Sequence, residues 1–143
     1  MKLQKNTRLA LYSVLEFATD PTRHMSAAEI AAKYEVSPHH LAKVLRELGR
    51  AGIFEATRGA GGGYRFVGNA KRLTLFDVIE LFEDISARSP EAGGADPATD
   101  VGRALARVLA EIDEIAKATF RSITIDTMLK MVERERDAQP RAA

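Results

Sequence analysis

The sequence has 143 residues, of which 45% are hydrophobic and 29% charged, and its formal net charge is +1. This length and composition predict one globular domain with an appended helical segment. No apolar run approaches the roughly 20 residues that span a bilayer, and the N-terminal residues lack a signal-peptide core, so we expect a cytoplasmic protein without a membrane partner. Because the chain contains no cysteine, disulfides, thiolate metal sites and cysteine-held iron–sulfur clusters are excluded.

The small net charge hides an uneven distribution along the chain. Residues 1–75 contain twelve Lys or Arg and six Asp or Glu, which gives this half a net charge of +6, whereas residues 76–143 have a net charge of −5. A basic first half favours a polyanionic partner, and the acidic second half indicates a different role.

Two helices are predicted before residue 36. Apolar residues recur at helical spacing over residues 6–18, which predicts a mostly buried helix that ends in a turn at 19–23. Ser26 and Glu29 then have the spacing of a capping box, so a short second helix is expected to follow them.

A third helix has one apolar stripe and one basic stripe. Ser37 is a good N-cap residue, Pro38 suits the first helical position, and Gly52 is suited to end the helix. A short turn joins it to the second helix, as in a helix-turn-helix motif. When the helix is taken alone, an ordinary surface helix with solvated charges is the better explanation, so the neighbouring elements decide. We interpret its outer face as a DNA-contacting surface that comprises Ser37, His39, His40, Lys43, Arg46 and Arg50.

A β-hairpin is predicted directly after this helix. The stretches 53–58 and 64–67 have strand composition, and a glycine-rich segment lies between them. At this position such a hairpin is typical of a wing, whose glycines let the backbone approach a surface closely. A phosphate-binding loop is rejected, because Tyr64 stands where a dinucleotide fingerprint needs glycine and no Gly-Lys-Ser/Thr is present. The predicted wing contacts to DNA are Arg58, Gly61, Gly62 and Arg65.

The acidic half is predicted to be helical. Thr74 and Asp77 have capping-box spacing at the start of an apolar helix that extends to Ile85. After a loop, a long helix from 97 to about 120 carries apolar residues spaced four and three apart, as in a heptad repeat. This stripe could dock on the chain's own core. Because the N-terminal unit already has a core, we interpret the stripe as a homodimer interface formed by Val101, Leu105, Val108, Ile112 and Ile115.

The expected architecture is mainly α-helical with a small β-hairpin wing. It comprises a winged helix-turn-helix over 1–85, a flexible loop over 86–96, dimerisation helices over 97–136 and a disordered tail over 137–143, with fraying expected from Glu133 onward.

No catalytic or metal-binding constellation is recognisable. His39 and His40 are adjacent and point to different faces of a helix, so they do not chelate one ion as i, i+4 pairs do. His-Glu-x-x-His, Gly-x-Ser-x-Gly and a cysteine nucleophile are all absent from the sequence. We therefore predict no catalytic residue, no metal site and no cofactor, and hence a protein that is not an enzyme.

Several stretches match one known pattern in order. They resemble the bacterial winged-helix regulators of the Rrf2 family, typified by IscR, NsrR and CymR. The resemblance covers residues 1–85 closely and the long helix by architecture. It implies a homodimer that binds a pseudo-palindromic operator in double-stranded DNA and regulates transcription, with repression as our expectation. The matching stretches are 1–5, 10–15, 26–31, 37–44, 48–53 and, most specifically, Arg-Gly-Ala-Gly-Gly-Gly-Tyr-Arg at 58–65.

The resemblance also implies a sensing device that this chain lacks. Many relatives sense iron–sulfur status, nitric oxide or redox state through a cluster held by three cysteines, which lie in the segment corresponding to residues 86–107. In some members a partner subunit's first helix adds a ligand, but Arg8 and Tyr12 here are poor candidates. We expect an unidentified small-molecule or protein effector, or none. The alternative function is an adaptor whose basic face docks an acidic protein, although the glycines and arginines of the wing favour DNA.

Overall fold

The computed structural model describes residues 2–59, 63–85 and 98–140. These parts of the chain form six helices and a two-stranded antiparallel hairpin, which confirms the predicted fold class. The elements in chain order are α1 (Lys5–Thr19), α2 (Ala27–Tyr34), α3 (Pro38–Arg50), β1 (Phe54–Thr57), β2 (Gly63–Phe66), α4 (Leu75–Glu80), α5 (Asp100–Ser122) and α6 (Ile125–Ala138).

One hydrophobic core joins the N-terminal helices, the hairpin and the last helix. Phe17 of α1 packs against Phe54 of β1, with ring centroids 4.7 Å apart. Ile125 at the start of α6 is fully buried in the same cluster, so α6 belongs with the N-terminal core. The inner stripe of α3 supplies much of the packing through Leu41, Val44, Leu45 and Leu48, all buried.

Helix α3 begins and ends as its sequence predicts. The Ser37 hydroxyl oxygen accepts a hydrogen bond from the backbone N–H of His40 at 3.4 Å. At the other end, Gly52 has a φ of 78° and donates to Gly49, while Ile53 donates to Leu48 at 3.1 Å. These two bonds form a Schellman motif, which requires a left-handed residue and therefore favours glycine at 52.

The hairpin is fixed to the rest of the fold by a buried pair of aromatic residues and by backbone hydrogen bonds to Met25. Phe54 pairs with Phe66, and both are buried. Met25, just before α2, exchanges two backbone hydrogen bonds with Tyr64 at 2.9 and 3.0 Å. The wing is therefore fixed to the segment that precedes the helix-turn-helix. Residues 60–62, which include the predicted contacts Gly61 and Gly62, lie outside the described residues.

Helix α4 has the predicted start but not the predicted end. Thr74 and Asp77 form a reciprocal capping box with bonds of 3.2 and 3.0 Å. The predicted extension to Ile85 is wrong, because the helix ends at Glu80. Beyond it, Leu81 and Phe82 donate to carbonyls three residues back, which tightens the chain into turns.

The bounds of the last two helices also differ from the sequence prediction. Helix α5 begins at Asp100 rather than 97, because the Thr99 hydroxyl caps it by accepting from the N–H of Gly102 at 3.0 Å. Helix α6 continues to Ala138, so the predicted fraying from Glu133, and the predicted disorder at 137 and 138, are wrong. The first half of α6 packs on the N-terminal core through Ile125 and Leu129, and the charged, exposed residues from Glu133 onward continue that helix. The predicted loop over 86–96 and the residues 141–143 lie outside the described residues.

Backbone hydrogen bonds connect the end of α5 to the start of α4. Leu75 donates to Ile123 at 2.9 Å, and Ile125 donates to Leu73 at 2.8 Å. Arg121 of α5 also lies over the ring of Phe76, 4.3 Å from its centroid. The C-terminal end of α5 is thus held rigidly against the N-terminal unit. None of the helices in the described ranges is long and apolar enough to cross a membrane.

A substitution at Gly63 tests whether the contact with Met25 anchors the wing. A Cβ at this position would lie 2.6 Å from the backbone oxygen of Met25, and φ is 159°. Gly63→Ala should therefore separate Met25 from the hairpin and lower the free energy of unfolding by about 1–3 kcal/mol, as measured in urea. Gly49→Ala is the matched control, because its Cβ would meet nothing nearer than 3.9 Å and alanine favours the helix. Equal losses in both variants would contradict the prediction.

Candidate nucleic-acid interface

The outer face of α3 presents a continuous basic stripe. His39, Lys43, Arg46 and Arg50 follow one another at intervals of four, three and four residues, and all four side chains are exposed. They lie opposite the buried inner stripe, so core packing fixes which way they project. The structure brings these four predicted residues together on one surface.

Ser37 and His40 are placed differently from the basic stripe. Ser37 is exposed, and its oxygen already serves as the N-cap acceptor, which leaves its O–H free to donate. His40 is half-buried, and its Nε2 is enclosed without a hydrogen-bond partner in the described residues. Its position four residues before the buried Val44 places it at the border of the inner stripe. A base contact from His40 stays a prediction that requires its ring to turn outward.

The predicted DNA-contacting cations fall into two groups. Within the parts of the chain that the structure describes, Lys43, Arg46 and Arg58 make no ion pair. In contrast, Arg50 binds Glu47 at 3.0 Å, and Arg65 binds Glu55 through Nε at 3.1 Å and Nη2 at 2.7 Å.

Sequence reasoning missed both carboxylates. The i, i+3 spacing of Glu47 and Arg50 was a usable signal. The pairing of Glu55 with Arg65 depends on the strand register, which places the two residues directly opposite each other.

A polar cluster, termed here the Glu16 cluster, holds α2 against α1. The carboxylate of Glu16 accepts hydrogen bonds from the Tyr34 hydroxyl and from Lys33 Nζ, the latter at 2.6 Å. The ring of Tyr34 stacks on that of Tyr12, with centroids 5.0 Å apart and planes inclined by 5°. Because α2 and α3 pack together as one motif, this cluster also fixes the orientation of α3.

Two pKa values in the Glu16 cluster are shifted. Partial burial acts to raise the pKa of Glu16, but the hydrogen bonds from Lys33 and Tyr34 and the positive charges of Lys33 and Arg136 outweigh it and lower that pKa below its ordinary value. Burial, together with the hydrogen bond to Glu16, raises the pKa of Tyr34 far above its ordinary value. The cluster thus keeps an ionised carboxylate next to a neutral phenol at neutral pH.

Comparisons with known proteins agree with this geometry. Residues 3–131 match the model of a family described as Rrf2, iron-dependent transcriptional regulator. Over 136 residues the chain is 53% identical to BadM, an HTH-type transcriptional regulator of Rhodopseudomonas palustris, and the match covers 95% of this chain and 86% of that protein.

Two solved structures share the fold. CymR, the global cysteine regulator of B. subtilis, superposes with a TM-score of 0.74 at 24% identity, covering 92% of this chain and 98% of that one. IscR of T. potens superposes with a TM-score of 0.75 at 21% identity, covering 98% and 94%. Because the coverage includes the C-terminal helices, the likeness extends beyond the winged-helix unit.

The family description includes iron, but the residues of this chain do not fit a cysteine-held cluster. Iron–sulfur clusters in proteins are bound mainly by cysteine thiolates. The 143 residues contain no cysteine. Among residues 2–59, 63–85 and 98–140, no three His, Asp or Glu side chains are placed to hold a metal ion.

The lowered pKa of Glu16 predicts a pH-dependent contribution to stability. The folded-state pKa lies below the unfolded one, so the contribution is present above the unfolded pKa and is lost as the pH falls through the folded pKa. Glu16→Gln should lower Tm at about pH 7, and this difference should shrink at an acidic pH below the ordinary glutamate pKa of about 4.3. Thermal unfolding at both pH values measures the effect. The exposed Glu133→Gln variant should match the wild type at neutral pH, and a Glu16→Gln deficit that persists in acid would refute the electrostatic cause.

Proposed function

Because the chain belongs to the Rrf2 family of DNA-binding transcriptional regulators, we propose that it acts as a homodimer on a pseudo-palindromic operator and represses transcription there. The observation that carries this proposal is the exposed basic stripe of α3, which a buried apolar stripe fixes beside a hairpin wing. Family membership also favours DNA over an acidic protein as the partner of this surface. A repressor of this kind works in the cytoplasm, where bacterial DNA lies.

The contacts divide by position along α3 and the wing. Residues at the N-terminal end of a recognition helix contact base edges in the major groove, and residues further along contact phosphates. We assign base contacts to Ser37, His39, His40 and Lys43 and phosphate contacts to Arg46 and Arg50. Glycines 61 and 62 would let the wing approach the duplex closely, with Arg58 and Arg65 along the backbone or in the minor groove.

The apolar stripe of α5 supports the homodimer. Its five large side chains, which are Val101, Leu105, Val108, Ile112 and Ile115, are 43–80% exposed in the single chain. Such a contiguous apolar surface is typical of a protein–protein interface. Helix α5 also packs on α4 of the same chain, and this contact leaves the stripe exposed.

Charge and shape favour an antiparallel pairing of two α5 helices. A two-fold axis near Val108 places Leu105 level with Ile112 of the partner subunit. The same axis places Arg107 within one residue, about 1.5 Å along the helix, of the level of Glu111 of the partner subunit, and this approach occurs twice by symmetry. A parallel pairing would instead place each charge level with its own copy.

We further propose that regulation proceeds without a cysteine-ligated cluster. The thiolates that such a cluster needs are missing from the chain. A small molecule, a protein partner or the concentration of the dimer itself would then control binding to DNA.

Substitutions on α3 and the wing should affect DNA binding in different ways. Arg58→Ala removes a phosphate contact and should weaken all sequences equally, with the slope of log K against log salt reduced by about 0.9 per contact. His39→Ala should change the preferred sequence, because a base contact carries sequence information. Selection from random DNA with the wild-type protein supplies the operator, and fluorescence anisotropy measures affinity. Arg134→Ala on the exposed side of α6 is the control, and operator binding unchanged in both test variants would refute the interface.

Single cysteines introduced into this cysteine-free chain test the dimer and its orientation. In the antiparallel arrangement Val108→Cys lies near the axis and should form an intersubunit disulfide on oxidation, because the two Cα atoms approach to about 6 Å. Val101→Cys should not, because it lies level with Ala116 of the partner subunit. Non-reducing electrophoresis separates the outcomes. Cross-linking of both variants would indicate a parallel pair, and a monomeric mass without cross-links would refute the interface.

A further inference from the structure

We propose that Glu47 and Glu55 are specificity-determining residues that hold Arg50 and Arg65 away from phosphates and thereby suppress binding to non-operator DNA. The proposal rests on the proposed DNA contacts of these two arginines. It assigns a role to two carboxylates that lie on a surface otherwise suited to a polyanion.

Both pairs are formed within the elements that face DNA. The Arg50–Glu47 pair lies on the last turn of α3, with side chains that are 71% and 49% exposed. The Arg65–Glu55 pair joins the two strands of the wing, with side chains that are 42% and 54% exposed. Each arginine is therefore accessible to a phosphate but already has an anionic partner.

The two other arginines with predicted phosphate contacts are not held by a carboxylate in the described parts of the chain. Arg46 and Arg58 make no ion pair in the described parts of the chain, so they are available to any duplex. Arg50 and Arg65 must first exchange a carboxylate for a phosphate. Exposed ion pairs are weak, so this exchange is feasible where a phosphate lies at the right distance and angle.

We expect operator DNA, but not non-operator DNA, to place phosphates at the right distance and angle from Arg50 and Arg65. When base contacts seat α3 deeply in the major groove, the phosphates are brought into register with Arg50 and Arg65. A loosely bound, non-specific complex depends almost entirely on phosphate neutralisation and lacks this register. The arginines then remain with Glu47 and Glu55, and the carboxylates repel the duplex. The cost of the exchange therefore falls more heavily on non-operator DNA.

The test compares three substitutions that remove the same charge. Glu47→Gln and Glu55→Gln should each tighten binding to non-operator DNA by about 3- to 10-fold at 0.1 M salt, and the log–log salt slope should steepen by about 0.9 for each arginine released. Operator affinity should rise less, so the ratio of operator to non-operator affinity should fall. Glu35→Gln, an exposed carboxylate in the turn before α3, releases no arginine and should leave this ratio unchanged.

A second substitution separates release of the arginine from loss of a nearby negative charge. Adding Arg50→Gln to Glu47→Gln should cancel the gain if the freed arginine causes it. Equal gains on operator and random DNA, or a gain in Glu35→Gln of the same size, would overturn the proposal and leave the DNA-binding function intact. Failure of the wild-type protein to bind any selected DNA would instead refute the proposed function.

Discussion

The structure depends on one small hydrophobic core that several functional elements share. The inner stripe of α3, the inner face of the hairpin and the first residue of α6 all bury their apolar surface against α1. Because Leu41, Leu45 and Leu48 are fully buried, α3 cannot rotate without exposing them to water. The direction of the basic stripe is thus a consequence of core packing. The apolar stripe of α5 lies outside this core and stays exposed in the single chain.

Ion pairs and hydrogen bonds then act between side chains that core packing has positioned. In the partly exposed Glu16 cluster, a carboxylate of α1 accepts hydrogen bonds from a lysine and a tyrosine of α2 and so joins the two helices that pack with α3. On α3 and the hairpin, Glu47 and Glu55 pair with arginines that the fold presents to solvent. Two of the arginines in the proposed DNA interface, Arg50 and Arg65, are therefore already paired with carboxylates. Such a balance limits indiscriminate attraction to phosphates, whose contribution to affinity carries no sequence information.

Local signals in the sequence predicted the starts of α3 and α4, although not that of α5. Ser37 and Thr74 cap their helices as expected, because a cap depends on residues within one turn. Contacts over longer distances were not predictable. The bond between Glu16 and Lys33 spans 17 residues and needs the packing of α2 on α1, and the pair Glu55–Arg65 needs the strand register. The extension of α6 past Glu133 was not predictable either, since the residues there are charged and exposed and only continue a helix whose first half packs on the core.

The contacts that join α5 to the N-terminal unit would allow such a regulator to be controlled without thiolates. Backbone bonds between the segments before α4 and after α5, and the contact of Arg121 with Phe76, make the end of α5 continuous with the DNA-binding unit. In the proposed dimer, the distance between two α3 helices is then set by how the α5 helices cross, because the backbone bond from Leu75 to Ile123 holds the end of α5 against the N-terminal unit. DNA half-sites are spaced in steps of about one helical turn, so a small change in that crossing moves α3 out of register with the groove. An effector that binds at the α5 interface would need to change only this angle, which requires neither a metal nor a cysteine.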